Sequence, residues 1–298
     1  MEAILLPRDV AIKALDCALR TADRDFRKTA ATILSELKNP TADPLRFHML
    51  GAFKVYQGER ELGRACFRRA QAWKLISFLA HCFPNPVSHD TIMETFWPDC
   101  GEASAKRCIY TNLSCLCTTL EPGKERNAKS RYIHHRNGQI WLEPSAVKET
   151  DVVLFEGLCQ EGEKELMRGH ADKALGLLLK ARGLYRGDYF EDELYSDWAL
   201  SRRSHLEDRL LQLDERLAAL FLLKGRVSDA ISCLEEAFER DPFQERICCA
   251  LMKAYHRAGM REKVHRCFSH LGENLRRELN IEPDAQTRLT YTQLISAS

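Results

Sequence analysis

Arg107, Thr111, Ser114 and Thr118 recur at three- and four-residue spacing, with Lys106 and Tyr110 beside them. On a helix that spacing lines them along one flank. A row of guanidinium, hydroxyl and ammonium groups supplies hydrogen bonds to an acceptor-rich partner; it contains neither a paired acid and base nor a nucleophile with its activator. A guanidinium pairs bidentately with O6 and N7 of guanine, while hydroxyls and a phenol suit phosphate oxygens or a thymine methyl. The chemistry expected here is recognition of a duplex. Ile109, Leu113, Leu116 and Leu120 fall on the opposite side, within about 60° of each other, so the segment from about Ala103 to Leu120 reads as a helix with a core-facing stripe.

Such a helix needs a scaffold, and the flanking sequence provides one. Leu45–Gly51 and Phe53–Tyr56 alternate as short strands before Gln57-Gly58. A first helix follows near Arg68, with Ala70, Trp73, Ile76, Leu79 and Ala80 as its buried stripe, and Pro84-Asn85-Pro86 ends it. Ser88 stands where an N-cap belongs for a short second helix over Thr91–Trp97, closed by Pro98. After the Ala103–Leu120 segment, Tyr132–His135 and Gln139–Leu142 flank Asn137-Gly138, a dipeptide that accepts positive φ at both positions and marks a tight hairpin. Two strands, three helices and a hairpin are the plan of a winged helix, which reads DNA with its third helix. Arg68 and Arg69 then lie at the start of the first helix, and His135 and Arg136 at the wing tip, each placed to grip a phosphate or enter a minor groove. Lys124, Arg126, Lys129 and Arg131 line the connection into the wing.

From Asp151 onward the pattern is helical. Gly225 and Gly259 lie 34 apart, as do Ala230 and Val264, with Asp241-Pro242 between the units. That is the period of tetratricopeptide-like helix pairs. Gly169 and Ala174 repeat the same offset 56 residues before Gly225, so an insertion is expected there, and Arg186–Asp192 supplies its loop. The aromatics around it (Tyr185, Tyr189, Phe190, Tyr195, Trp198) either fill the core or line a groove for a ligand or partner. The fold expected is therefore mostly α: a helical extension over 1–44, a winged-helix α+β domain over 45–146, and a helical repeat domain over 147–298.

The net charge of +1 hides an asymmetry. Residues 45–146 carry 14 Lys/Arg against 9 Asp/Glu, whereas 147–298 carry 23 against 27, so the positive excess sits on the segment read as a DNA binder. The twelve cysteines show no C-x-x-C and mostly sit in helical apolar patterns, as small hydrophobes in a reducing cytoplasm would. Cys108 and Cys115 share one helix side next to Arg107 and Ser114, which leaves open a thiol-responsive contact as well as plain packing. No phosphate-binding glycine loop, nucleophile elbow or H-E-x-x-H motif is present, and the histidines lack metal-ligand spacing. Neither an enzyme nor a cofactor or metal site is expected, and no apolar run is long enough for a membrane span.

These features together resemble regulators that couple an OmpR-type winged helix to a bacterial transcriptional activator domain, the plan of the Streptomyces antibiotic regulatory proteins. The resemblance is carried by Leu45–Gly51, by Val87-Ser88-His89-Asp90 through Phe96-Trp97-Pro98-Asp99, and by Ala103-Ser104-Ala105, Asn112-Leu113-Ser114 and Leu120-Glu121-Pro122. It continues through Asp151–Phe155, Leu184–Tyr189 and Arg277–Asp284. It implies sequence-specific binding to double-stranded DNA upstream of promoters and recruitment of RNA polymerase, with Pro98–Glu102 as the candidate polymerase contact. It also implies a helical domain serving homodimerisation or ligand response. Where such proteins carry arginines late in the third helix, this chain has Cys115, Leu116, Cys117 and Thr118. Each phosphate contact so removed flattens the log–log salt dependence of binding by nearly one unit. The competing reading is a protein-interaction scaffold whose winged helix no longer binds DNA.

Overall fold

The computed structural model describes residues 43–124 and 128–296, so the helical extension expected over 1–44 falls almost wholly outside the described residues. The chain divides into two units, one comprising residues up to Phe47 with Lys54–Glu149, the other His48–Phe53 with Thr150–Ser298.

The first unit is an α+β domain. Strands β1 (Leu45–His48), β2 (Lys54–Gln57), β3 (Arg60–Leu62) and β7 (Val147–Thr150) form a sheet in the order β3-β2-β1-β7. Alternation buries Leu45, Phe47, Val55 and Leu62 on one face, with Val55 opposite Leu62. Two of these strands, β3 and β7, were not expected; both are short and polar, and they exist because β2 and β1 offer them a ladder.

Helix α1 (Ala70–Cys82) buries Trp73, Ile76, Leu79 and Ala80 as expected, together with Ala72, Leu75 and Phe78. Ala70, expected in that stripe, is instead exposed at the first turn, where the helix has not yet reached the core. Helix α2 (His89–Phe96) begins at Ser88, whose hydroxyl accepts from Thr91 N at 2.9 Å. Phe96 meets Phe78 of α1 edge-to-face at 5.4 Å. Helix α3 (Glu102–Leu120) packs on both, burying Ala105, Ile109, Asn112, Leu113, Leu116 and Leu120. The hairpin of β5 (Ile133–Arg136) and β6 (Gln139–Leu142) turns at Asn137 and Gly138, with φ of +52° and +73°, and β6 also pairs with β4 (Val87–Ser88).

The second unit is helical: α4 (Asp151–Met167), α5 (Ala171–Leu184), α6 (Asp197–Leu223), α7 (Val227–Arg240), α8 (Glu245–Arg257), α9 (Arg261–Asn274) and α10 (Ala285–Ser296). Helices α7 and α9 start and end 34 residues apart, as the period requires. Gly169, Gly225 and Gly259 all adopt positive φ at the turn between paired helices, which is why glycine recurs there. Between α4 and α5 the helices touch at Gly162, where a Cβ would lie 2.7 Å from Leu178 Cδ2.

The insertion before α6 is a built structure. Tyr189, Phe190 and Trp198 meet edge-to-face, with Phe53 5.0 Å from Phe190; Tyr189, Phe190 and Phe53 are core, Trp198 is half-buried, and Tyr195 points to solvent, 98 % exposed. Phe190 holds a left-handed φ of +50°. The loop is clamped by Arg203, only 7 % exposed, which donates to the carbonyls of Tyr189, Phe190, Glu193 and Leu194 at 2.9–3.4 Å. The same unit takes in Met49 and Leu50, whose N–H groups donate to the buried carboxylate of Asp151 at 2.8–3.0 Å. Burial pushes that carboxyl upward, against the pull of these donors. No helix among the described residues is long and apolar enough to cross a membrane.

Candidate nucleic-acid interface

Because Ile109, Leu113, Leu116 and Leu120 commit one side of α3 to the core, its other side is forced outward. Ser104, Arg107, Tyr110, Ser114 and Thr118 are exposed there, and Lys106 and Thr111 half-buried. The flank forms one wall of an open groove of about 840 Å³, lined by Arg68, Arg69, Arg107, Tyr110, Thr111, Ser114, Cys115, Thr118 and Thr119. Seven of the ten residues singled out from the sequence thus share one depression, while Lys106 lies at the helix start and His135 and Arg136 stand exposed on the hairpin. Arg68 and Arg69 immediately precede α1, and Arg69 contributes its carbonyl to the first helical turn. Arg126 of the connection lies outside the described residues.

Electrostatically the groove is one-signed. No carboxylate among the described residues pairs with Arg68, Arg69, Arg107 or Arg136, whereas Arg182, Arg202, Arg209, Arg240 and Arg246 of the helical unit each have such a partner. Lys106 is the exception within the set: its ammonium is bonded to Glu102 one turn earlier, an exposed pairing that raises the lysine and lowers the glutamate from their ordinary values. The threonines are also less free than their types imply. Thr111 Oγ1 donates to Arg107 O and Thr118 Oγ1 to Ser114 O, both at 2.8 Å. Their hydroxyl protons are spent on the helix backbone, so what they turn outward is a methyl and acceptor lone pairs. That favours an apolar touch on a thymine methyl over donation to phosphate.

Tyr110 ties the reading flank to the rest of the domain. It meets His135 of the hairpin at 6.0 Å and 74°, and His89 of α2 at 5.6 Å and 90°. In the sequence His89 figures only within the Val87–Asp90 match, since a histidine beside a capping serine carries no signal of what lies across from it. It is only 7 % exposed, and its Nε2 has no hydrogen-bond partner among the described residues. Burial, then the positive groups Lys106 and His135, push its pKa below 6.5, with Asp90 pulling the other way. A depressed histidine contributes stability above its unfolded value, and that contribution is lost as pH falls from 6.5 through the folded value. The melting temperature of the first unit is accordingly expected to drop from pH 7 toward pH 5, and His89→Phe should flatten part of that slope in scanning calorimetry.

Cys115 borders the groove and Cys108 is half-buried on the same helix; all the cysteines described are free thiols. No cluster of three or more metal-ligating side chains occurs among the described residues.

Residues 150–295 match the bacterial transcriptional activator domain. The chain is 30 % identical over 252 residues to the regulatory protein DnrI of Streptomyces peucetius, covering 84 % of this chain and 90 % of DnrI. It is 27 % identical over 243 residues to the regulatory protein AfsR of Streptomyces griseus, covering 82 % of this chain but only about a quarter of AfsR's length. Among solved structures it is similar to EmbR of Mycobacterium tuberculosis, determined with a low-affinity phosphopeptide. The TM-score is 0.72 at 19 % identity, over 85 % of this chain and 65 % of that one, a likeness of fold. A winged helix ahead of a matched activator domain, with DnrI aligned nearly from end to end, places the chain in a family: it belongs to the Streptomyces antibiotic regulatory proteins.

Proposed function

We propose that this chain binds double-stranded DNA sequence-specifically and activates transcription from the promoters it marks. The observation that carries the reading is the α3 groove: Arg68, Arg69 and Arg107, without a carboxylate partner among the described residues, around a polar helix flank, with Arg136 on a neighbouring hairpin. Arg107 reads guanine, Thr111 and Thr118 offer methyls to thymine, and Arg68, Arg69 and Arg136 hold phosphates or the adjoining minor groove. Ser114 supplies a hydroxyl to the same surface, Tyr110 and His135 meet edge-to-face at the helix–hairpin junction, and Lys106 reaches the backbone once released from Glu102. The exposed loop Pro98–Glu102 is the contact for RNA polymerase, and the helical unit serves homodimerisation or senses a ligand. The free cysteines spread through its helices fit a reducing cytoplasm.

A band-shift against sheared genomic fragments at low salt tests the reading; retention of no fragment would leave the scaffold interpretation, which the arginine-poor second half of α3 favours. The Lys106–Glu102 pair gives a second test. Glu102→Ala removes a carboxylate that competes with phosphate for the same ammonium. Binding should tighten modestly, and the log–log salt slope should steepen by close to ~0.9, one added phosphate contact. An unchanged slope in anisotropy titrations would show that Lys106 does not reach the backbone.

A further inference from the structure

We propose that His89 is the positioning residue that fixes the hairpin against the reading helix, so that contacts made by Arg136 and by α3 act as one coupled unit. This rests on the DNA reading above. Three observations meet at this residue. Its backbone N–H donates to Gly138 O, at the hairpin turn itself, at 2.8 Å. Its neighbours Val87 and Ser88 pair with Ile140 and Gln139, joining the start of α2 to β6. Its buried ring stands at 90° to Tyr110 of α3, and Tyr110 stands in turn against His135 on the hairpin.

The ring therefore fills the corner between three elements, and its role there is one of shape. A buried Nε2 without a partner gains nothing from hydrogen bonding, so an apolar ring of similar size should serve in its place. Charge at this corner is opposed from α3 by Lys106 and from the hairpin by His135, while Tyr110 faces it edge-on and only Asp90, on its own helix, favours it. The corner works with a neutral ring. Removing the ring leaves the backbone bond to Gly138 and the β4–β6 pairing in place but takes away the wedge that sets the angle of the hairpin, and so of Arg136, against α3.

The test is a double-mutant cycle on the full chain, read by anisotropy on the duplex recovered by selection from a random-sequence library. Arg136→Ala should weaken binding of the wild-type protein several-fold. In a His89→Ala background the same substitution should change affinity by less than about twofold, because the contact is already lost. His89→Phe should restore both the affinity and the full effect of Arg136→Ala; a general loss of stability would instead lower affinity in the His89→Ala background without shrinking the effect of Arg136→Ala. Should His89→Ala fail to fold, His89→Gln takes its place in the cycle. Losses that simply multiply would overturn the proposal while leaving the DNA reading intact; wild-type protein that captures no duplex would sink both.

Discussion

Arg107→Ala is expected to remove most of the base preference while leaving a folded protein that still adheres to DNA. The side chain is exposed and unpaired among the described residues, so its loss leaves no buried group unsatisfied and α3 should keep its packing. A bidentate guanine contact discriminates by about 1–3 kcal/mol. Affinity for the selected duplex should therefore fall by roughly ten- to a hundredfold, with binding to unrelated sequence changed far less. The measurement is the ratio of the two dissociation constants at fixed salt, since affinity without that condition is uninterpretable. If both fall in proportion, Arg107 sits on a phosphate, and the base reader must be sought among Ser104, Ser114 and the threonines.

The second large effect lies in the helical unit. Arg203→Ala should destabilise the helical unit by about 3 kcal/mol, since the guanidinium reaches four carbonyls and that of Tyr189 would lose its donor in a buried setting. Lysine is not a conservative replacement, because a point charge on a single stem cannot span a fork of acceptors. Denaturant midpoints should show Arg203→Lys recovering only part of the loss. Equal stability of all three proteins would mean the insertion holds itself through Phe190 and Trp198 alone.

How far the sequence exposed this arrangement depends on the range of the interaction concerned. Helix α3 was legible because 3.6-residue periodicity is local, and so was the Asn137-Gly138 turn, whose φ values only a few residues accept. The 34-residue spacing was readable because paired helices must turn at a left-handed position each time. Strands β3 and β7 were not, since nothing in Arg60–Leu62 or Val147–Thr150 alternates long enough to declare a strand. The groove was half readable: residue types on α3 were evident, but the pairing of Lys106 with Glu102 and the inward turn of the threonine hydroxyls belong to side-chain geometry. The roles of His89 and Arg203 were invisible: the partners of His89 arrive from α3 and the hairpin, and Arg203 caps carbonyls 9 to 14 residues back in a loop that carries no periodic signal.

The exchange of Met49 and Leu50 into the helical unit bears on how this protein is made. Asp151 finds its donors about a hundred residues upstream, and the pairing of Leu50 and Gly51 with Tyr189 lies farther away still. On the ribosome, that early hexapeptide must wait, unsatisfied, until α4 and the Tyr189 loop emerge. An expression clone begun at Thr150 would strand a buried carboxylate, so a soluble activator fragment should begin before His48 or supply those six residues in trans.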